Sequence, residues 1–305
     1  MTSTSQSGHR TSARDWIAGA RPRTLPAAVV PVAVGAGCAL GTVGWDDRGE
    51  VVWWRVAAAL AVSLLLQIGV NYANDHSDGV RGTDDVRVGP VRLVASGLAS
   101  SRAVKLAALL MLGLAAVVGL VLAATTSWWL LAVGAVAILA AWGYTGGPRP
   151  YGYLGLGEVF VFVFFGLVAT VGTTYVAIET VPSIAWLAAT GVGFLVCAIL
   201  VVNNLRDIPT DAAVGKRTLA VRIGDTWTRR FYAALVVGAF FAAAVAAGSR
   251  PWSLLAIGAL PIARPSLQRV LRGATGRDLI PVLVATGTTH LAYGALFALG
   301  LALGS

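Results

Sequence analysis

Two segments of the sequence combine asparagine, aspartate and basic residues in the same order at the end of a long apolar stretch. The first is residues 71–78 (NYANDHSD), and the second is residues 203–211 (NNLRDIPTD), which starts 132 positions later. Each places an Asn four residues before an Asp and another Asp three or four residues later, so one helix face would carry these side chains. Glycine and basic residues follow both segments: Gly79, Arg81 and Gly82 in the first, and Gly215, Lys216 and Arg217 in the second. Carboxylates beside cations at the ends of hydrophobic helices indicate divalent metal ions that hold a phosphorylated substrate.

The acidic character of the first segment extends into the loop that follows it, which runs to about residue 102. Asp75 and Asp78 continue a predicted helix, and carboxylates at a helix C-terminus oppose the helix dipole. A bound metal ion would offset this unfavourable interaction between the carboxylates and the helix dipole. Asp84 and Asp85 lie farther along the chain, where they are consistent either with an ordinary solvated loop or with a functional role.

The second segment adds cations suited to phosphate. Pro209 is predicted to end regular helix between Asp207 and Asp211, because proline lacks the backbone donor. Lys216 is one of two lysines against 21 arginines. A compact ammonium suits a phosphate oxygen, while the guanidinium groups of Arg206 and Arg217 can bind a diphosphate through two hydrogen bonds each.

The composition predicts a membrane protein. Only 12% of the residues are charged and 57% are hydrophobic. Apolar runs of about 18 residues or more are long enough to cross a bilayer. We count nine, at roughly 25–42, 51–73, 103–124, 127–145, 155–178, 183–204, 229–248, 252–271 and 280–302. The expected fold is therefore all-α: a bundle of nine transmembrane helices with two aspartate-rich cytoplasmic loops, in one domain over 16–305. Residues 1–15 are polar and predicted to be a disordered cytoplasmic tail, without the layout of a cleaved signal peptide.

The distribution of positive charge predicts the orientation of this bundle. With nine spans and a cytoplasmic N-terminus, 20 of the 23 lysines and arginines fall on the cytoplasmic side, and Arg48, Arg55 and Arg250 fall outside. That asymmetry is the positive-inside pattern. The net charge of +9 therefore reports topology and anionic substrates rather than nucleic-acid binding. Both acidic segments lie on the cytoplasmic face of a cell membrane in this arrangement, and the C-terminus lies outside.

A third polar segment, 144–153 (YTGGPRPYGY), shares the predicted cytoplasmic face. Its glycines and prolines exclude regular helix. Tyr151 and Tyr153 are consistent with an interfacial aromatic belt, whereas Arg149 is the one charge in the loop and a better candidate for substrate contact. Glu158 lies inside the fifth apolar run, where an ionisable group indicates function. Cys38 and Cys197 lie in apolar runs and are predicted to be small core residues, with a disulfide or metal role as the minor alternative.

On these residues the chain resembles the UbiA superfamily of intramembrane aromatic prenyltransferases, over about residues 16–300. The most specific similarity is to the branch that acts on 1,4-dihydroxy-2-naphthoate in menaquinone synthesis. The segments that carry it are 20–26 (ARPRTLP), 144–150 (YTGGPRP), 155–158 (GLGE), 203–207 (NNLRD) and 215–219 (GKRTL). The chain departs from the superfamily's first motif, Asn-Asp-x-x-Asp-x-x-x-Asp, because Tyr72 and Gly79 occupy two acidic positions and Asp78 comes one residue early. Which of Asp78, Asp84 and Asp85 completes the first metal site stays open.

The resemblance implies a Mg²⁺-dependent transfer, with Mn²⁺ as the alternative ion, of a polyprenyl group from its diphosphate to 1,4-dihydroxy-2-naphthoate. Carbon dioxide would be lost and demethylmenaquinone formed. It assigns metal binding to Asn71, Asp75, Asp78, Asp207 and Asp211. It assigns diphosphate contacts to Arg81, Arg206, Lys216 and Arg217, with Asp75, Asp207 and Lys216 as the catalytic residues. Arg149 and Tyr144 are candidates for the aromatic substrate, and Asn203 and Asn204 for substrate contact or for orienting the metal ligands.

Two other functions remain open on the sequence. Within the same enzyme class, the acceptor could be another phenolic acid, or the transferred chain could differ; residues 146–150 (GGPRP) favour the naphthoate branch. From another class, repeated halves are typical of ion-coupled transporters. A transporter is expected to place ionisable groups near the bilayer midplane, whereas nearly all acids here lie at or beyond the ends of the apolar runs, with Glu158 as the exception.

Overall fold

The computed structural model describes residues 11–44, 50–81, 92–147 and 150–304, and within these ranges it contains helices and turns but no β-strand. The α-helices, in chain order, are α1 Ala13–Gly19, α2 Pro26–Val43, α3 Trp53–Arg81, α4 Ser101–Thr125, α5 Trp129–Gly143, α6 Gly157–Val161, α7 Ala169–Ile178, α8 Ser183–Ala213, α9 Leu219–Ala246, α10 Leu260–Leu271 and α11 Leu279–Ala302. A π-helical stretch, Phe162–Val168, joins α6 to α7, so these form one continuous element. The expected all-α fold is confirmed for this part of the chain.

Polar caps begin several of these helices. The Ser12 side chain accepts from the backbone N–H of Asp15, and the Asp15 side chain accepts in return from the backbone of Ser12, which forms a capping box at α1. At the starts of α4 and α9, the Ser100 and Thr218 side chains accept from the backbone N–H groups of Ala103 and Val221. Such caps satisfy backbone donors that the first helical turn leaves without partners. Helix α1 begins within the segment predicted to be disordered, of which residues 1–10 lie outside the described residues.

Seven of the described helices are long and apolar enough to cross a membrane: Pro26–Val43, Trp53–Arg81, Ser101–Thr125, Gly157–Ile178, Ser183–Ala213, Leu219–Ala246 and Gly276–Ala302. They coincide with seven of the nine predicted apolar runs. The run at 127–145 forms α5, which has 15 residues and is shorter than a usual span. The run at 252–271 divides into a 3-10 helix, Pro251–Ala259, and the 12-residue α10.

Both acidic segments lie in the last turns of long helices rather than in loops. Residues 71–78 belong to α3, and residues 203–211 belong to α8. The prediction that Pro209 ends regular helix is wrong, because α8 continues through it to Ala213. One proline removes a single backbone hydrogen bond. The interior packing of α8, which buries both Asp207 and Asp211 beyond the apolar part of the helix, outweighs that loss.

The core is built mainly from α2, α8, α9 and α11. Its largest cluster includes Val192, Leu195, Tyr232, Tyr293 and Phe297. Cys38 and Cys197 are buried free thiols, as predicted. By contrast, α4 and α5 present many exposed apolar side chains, among them Leu110, Val117 and Leu139. Such faces are stable in lipid, where no water opposes their exposure. The bundle therefore holds the C-terminal ends of α3 and α8 on a rigid, tightly packed frame.

Candidate active site

Asn71 is tied into the frame rather than free at the helix surface. Its Nδ2 donates to the carbonyl oxygen of Ala20 and to Oγ1 of Thr24, both at 2.9 Å. Gln67, one turn earlier on α3, donates to the same threonine oxygen at 3.0 Å and to Asn71 Oδ1 at 3.4 Å. These bonds join α3 to the turn that precedes α2. The longest of these bonds, at 3.4 Å, is the one that the amide oxygen of Asn71 accepts from Gln67.

Asp75 is fully buried and binds backbone N–H groups. Its Oδ2 accepts from the N–H of Leu93 at 2.8 Å, and its Oδ1 accepts from the N–H of Val94 at 3.1 Å. Gly79 makes this docking possible, since a Cβ there would run into the Val94 side chain. Leu93 is itself fully buried. Asp75 thus anchors the chain where it returns to α3 after the acidic loop.

Asp78 faces the segment that follows α5. Its Oδ1 accepts a hydrogen bond from the Tyr153 hydroxyl at 2.9 Å, and its Oδ2 lies 3.7 Å from Nη2 of Arg92. One turn earlier, Asn74 Oδ1 accepts from the Thr145 hydroxyl at 2.7 Å. The first acidic segment is therefore joined at two points to the polar segment 144–153.

The second acidic segment holds an internal ion pair. The Arg206 guanidinium contacts both carboxylate oxygens of Asp207, Nε to Oδ1 at 2.7 Å and Nη2 to Oδ2 at 2.8 Å. The same Nη2 also donates to Oδ1 of Asn203 at 2.9 Å. Asp207 is buried. This geometry fixes the carboxylate plane and gives its negative charge a cationic partner.

Lys216 connects the second segment to the third. Its Nζ lies 3.5 Å from Oδ1 of Asp211 and 5.3 Å from the centroid of the Tyr153 ring. The backbone N–H of Arg217 donates to the carbonyl oxygen of Tyr153 at 3.1 Å. Arg81, at the end of α3, lies 5.3 Å from the same ring through its Cζ and donates to the carbonyl oxygens of Thr145 and Gly147. The cations that follow each acidic segment thus meet at one tyrosine.

Glu158 has a polar partner inside the bundle. Its Oε1 accepts from Nδ2 of Asn204 at 2.9 Å, and its backbone carbonyl accepts from the Cys197 thiol at 3.2 Å. The second asparagine of the second segment therefore contacts Glu158. An ionisable group at this depth carries the cost of burial, and the amide donor offsets part of it.

Tyr151 and Tyr144 form part of an aromatic row. The two rings meet edge to face with centroids 5.5 Å apart, and the Tyr151 ring stacks on Phe160 at 3.8 Å. The Tyr151 hydroxyl donates to the carbonyl oxygen of Ala140 at 2.7 Å. Burial raises the pKa of this phenol above its ordinary value, which keeps it a neutral donor. Tyr151 is therefore a packing residue between the end of α5 and α6.

The structure gives the predicted site residues unequal surroundings. Asp78, Lys216 and Arg81 contact Tyr153, and Asp211 pairs with Lys216. Asp207 pairs with Arg206, while Asn71 and Asp75 hydrogen-bond to neighbouring parts of the bundle. Arg149, Asp84, Asp85 and Gly82 lie outside the described residues. The sequence prediction gave Tyr153 no role beyond an aromatic belt. The distance in sequence between Tyr153 and Asp78 does not indicate that they are in contact. Tyr153 is brought to both acidic segments only by the tertiary fold.

The donor chemistry of this region fits a hard divalent cation. Within the ranges that the structure describes, no three His, Cys, Asp or Glu side chains stand close enough together to enclose an ion by themselves. Mg²⁺ retains waters and is usually held through one or two carboxylates together with substrate phosphates. Buried carboxylates next to arginine and lysine side chains are compatible with that mode of binding.

Comparison with known proteins gives the chain a family. The UbiA prenyltransferase family matches residues 28–283. A 1,4-dihydroxy-2-naphthoate octaprenyltransferase of Mycobacterium tuberculosis is 50% identical over 289 residues, which cover 95% of this chain and 97% of that protein. The Escherichia coli protein of the same name is 35% identical over 98% of this chain and 97% of its own length.

The fold is also that of solved relatives. A UbiA homolog from Archaeoglobus fulgidus, bound to GPP and Mg²⁺, superposes with a TM-score of 0.63 at 17% identity, covering 92% of this chain and 99% of its own. The same homolog bound to Cd²⁺ gives a TM-score of 0.61 over 94% of this chain and 98% of its own, at 16% identity. Together with the two acidic segments and the seven membrane-length helices, these similarities show that the chain belongs to the UbiA prenyltransferase family.

Proposed function

We propose that this chain transfers a polyprenyl group from its diphosphate to 1,4-dihydroxy-2-naphthoate, at the C-terminal ends of α3 and α8. The observation that supports this proposal most directly is that Asp78, Arg81 and Lys216 all contact Tyr153. Relatives named 1,4-dihydroxy-2-naphthoate octaprenyltransferase, at 50% and 49% identity, support the same acceptor. Membership of a prenyltransferase family also argues against the alternative function, ion-coupled transport.

The diphosphate is bound in this proposal by the cations of the two segments. Arg81, which follows the first acidic segment, and Lys216, which follows the second, both lie close to the Tyr153 ring. Arg217 comes directly after Lys216 in the sequence. Arg206 would contribute from its position beside Asp207. Cations that meet the charge developing on the leaving diphosphate lower the barrier to breaking its bond to the allylic carbon.

Asp78, Asp207 and Asp211 are the metal ligands in this proposal. The ligand roles of Asn71 and Asp75 stay predictions. Bound Mg²⁺, or Mn²⁺ in its place, supplies further neutralisation of the diphosphate charge. Ion pairs with Arg206 and Lys216 orient two of these carboxylates. These carboxylates are thereby positioned to bind the metal ion of a metal–diphosphate complex.

The remaining chemistry needs a dry, apolar site. The allylic carbon becomes electron-poor as the diphosphate leaves, and water would capture it. The helix bundle excludes water and offers the isoprenoid chain an apolar environment. The electron-rich carbon of the naphthoate that bears the carboxylate forms the new bond, and loss of that carboxylate as carbon dioxide restores the aromatic ring. The product is the reduced form of demethylmenaquinone.

Arg149 and Tyr144 are proposed to contact the acceptor, and Asn203 and Asn204 to contact substrate or to orient the metal ligands. The test is an incubation of purified protein, Mg²⁺ and a labelled prenyl diphosphate with a panel of aromatic acids. We expect 1,4-dihydroxy-2-naphthoate to be prenylated and 4-hydroxybenzoate to be left unchanged. Preferential prenylation of a different phenolic acid would replace the proposed acceptor but keep the reaction class.

We further propose a bundle of nine membrane helices in the cell membrane. Helix α5, and the 3-10 helix Pro251–Ala259 together with α10, would complete the seven long helices. The domain would span 16–305, with the site and the N-terminus on the cytoplasmic side.

A topology reporter tests this arrangement. The split of 20 basic residues against 3 predicts that a reporter fused after Ser305 reads as external. The matched control is a fusion within the turn at 272–275, which should read as cytoplasmic. A cytoplasmic signal from the C-terminal fusion would show an even number of spans.

A further inference from the structure

We propose that Tyr153 is the positioning residue that joins the two acidic segments into one diphosphate site, an inference that rests on the proposed function. Its hydroxyl donates to Oδ1 of Asp78 at 2.9 Å, which connects it to α3. Its backbone carbonyl accepts from the N–H of Arg217 at 3.1 Å, which connects it to the turn between α8 and α9. One residue therefore binds both segments, through its side chain and through its main chain.

The aromatic ring of Tyr153 orders the two long cationic side chains. Lys216 Nζ and Arg81 Cζ each lie 5.3 Å from the ring centroid, within the range at which a cation is attracted to the face of an aromatic ring. Lysine and arginine otherwise lose considerable rotamer freedom when they bind a ligand. The ring holds both cations near the carboxylates before the diphosphate binds, so less of that freedom is lost on binding.

The backbone around Tyr153 is shaped for this contact. Tyr153 belongs to the 3-10 helix Tyr151–Leu154, which ends at Gly155 with φ of +76°. A Cβ at Gly155 would lie 2.9 Å from Nε of Arg222 and 3.2 Å from the carbonyl oxygen of Arg217. Glycine thus permits both the left-handed turn and the close approach to the start of α9. This approach brings Tyr153 to the second segment.

Tyr151 supplies a matched control, because it shares the 3-10 helix but makes different contacts. Its hydroxyl donates to the Ala140 carbonyl oxygen, and its ring stacks on Phe160. Removing the Tyr151 hydroxyl therefore perturbs the packing of the same segment without touching either acidic segment. Effects shared by both tyrosines would report segment stability, and effects confined to Tyr153 would report positioning.

The experiment compares Tyr153→Phe, Tyr153→Leu and Tyr151→Phe in the full-length membrane protein. Three quantities are measured: the Mg²⁺ concentration for half-maximal turnover, the equilibrium affinity for inorganic pyrophosphate with Mg²⁺ present, and the unfolding temperature. Tyr153→Phe keeps the ring and loses the bond to Asp78, so we expect the Mg²⁺ requirement to rise about tenfold with a smaller change in pyrophosphate affinity. Tyr153→Leu loses both contacts, and pyrophosphate affinity should fall about tenfold or more. Tyr151→Phe should leave both quantities within about twofold of the wild type.

Wild-type values for Tyr153→Leu would overturn the proposal, as would equal shifts in Tyr151→Phe and Tyr153→Phe. If Tyr153→Leu fails to fold, the Mg²⁺ requirement of Tyr153→Phe against Tyr151→Phe decides the question. Pyrophosphate binding needs no aromatic acceptor. A wild-type protein that fails to prenylate the naphthoate while Tyr153→Leu weakens pyrophosphate binding would therefore refute the proposed function and retain the positioning role.

Discussion

Removal of divalent metal is expected to reduce prenyl transfer by at least about a hundredfold, which corresponds to roughly 3 kcal/mol of transition-state stabilisation. The physical reason is the charge on the diphosphate. Two of the cations proposed to bind it, Arg206 and Lys216, are already paired with Asp207 and Asp211, so they neutralise only part of that charge without a metal ion. The measurement is turnover of the purified protein in excess EDTA, followed by titration with Mg²⁺ or Mn²⁺.

The control for chelation is the unfolding temperature in the same buffers. The carboxylates of the site have basic or backbone partners without any ion, so the fold should persist and the unfolding temperature should change little. Activity should then return on addition of metal. Full turnover in metal-free buffer would refute a metal-dependent mechanism, and irreversible unfolding by EDTA would show that the ion is structural.

Asp207→Asn is expected to lower turnover about a hundredfold or more, again roughly 3 kcal/mol. The substitution keeps the shape of the side chain and removes its charge. It therefore removes a proposed metal ligand and also weakens the two contacts with the Arg206 guanidinium, at 2.7 and 2.8 Å. Rates would be measured on membrane-inserted protein and expressed per folded molecule. Near-normal turnover would show that the second segment is structural.

Asp225→Asn provides a matched control for this substitution. Asp225 also meets an arginine through both oxygens, with Arg229 Nε at 2.6 Å and Nη2 at 2.7 Å, but it lies on α9 outside both acidic segments. Loss of that pair should reduce stability while turnover per folded molecule stays within about twofold. A comparable loss of turnover in Asp225→Asn would mean that the effect at Asp207 follows from breaking an ion pair rather than from removing a ligand.

Asp75 is a poor choice for the same experiment. Because both of its oxygens accept from backbone N–H groups, asparagine there would place an amide N–H₂ against a backbone donor. The result would be a displaced loop, with lost activity whether or not Asp75 also contacts a metal ion. Asp78 and Asp211, which contact the side chains of Tyr153 and Lys216, give the cleaner comparison.

Much of the fold could be predicted from the sequence because membrane helices must satisfy their own backbone hydrogen bonds and expose apolar side chains to lipid. Seven of the nine predicted runs are helices of membrane length. The ends were harder to predict. Helix α8 passes through Pro209 because its polar end is buried by neighbouring elements, and the run at 252–271 begins as a 3-10 helix. Both outcomes depend on packing that local sequence does not encode.

The sequence also offers candidate site residues, but it does not indicate the partners that these side chains have in the fold. Spacing along a helix places Asp75 and Asp78 on adjacent turns of α3, yet one binds the backbone of Leu93 and Val94 and the other binds Tyr153. These contacts join positions 18 to 75 residues apart, so they depend on the tertiary arrangement. The bond between Glu158 and Asn204 is of the same kind.

The most direct test of the account is the stoichiometry of the reaction in one incubation. Purified protein would receive Mg²⁺, a polyprenyl diphosphate and 1,4-dihydroxy-2-naphthoate labelled in its carboxylate, and the prenylated product, pyrophosphate and labelled carbon dioxide would be measured together. We expect all three to appear in equal amounts and to depend on both substrates. Release of pyrophosphate without prenylated naphthol or carbon dioxide would contradict the proposed reaction.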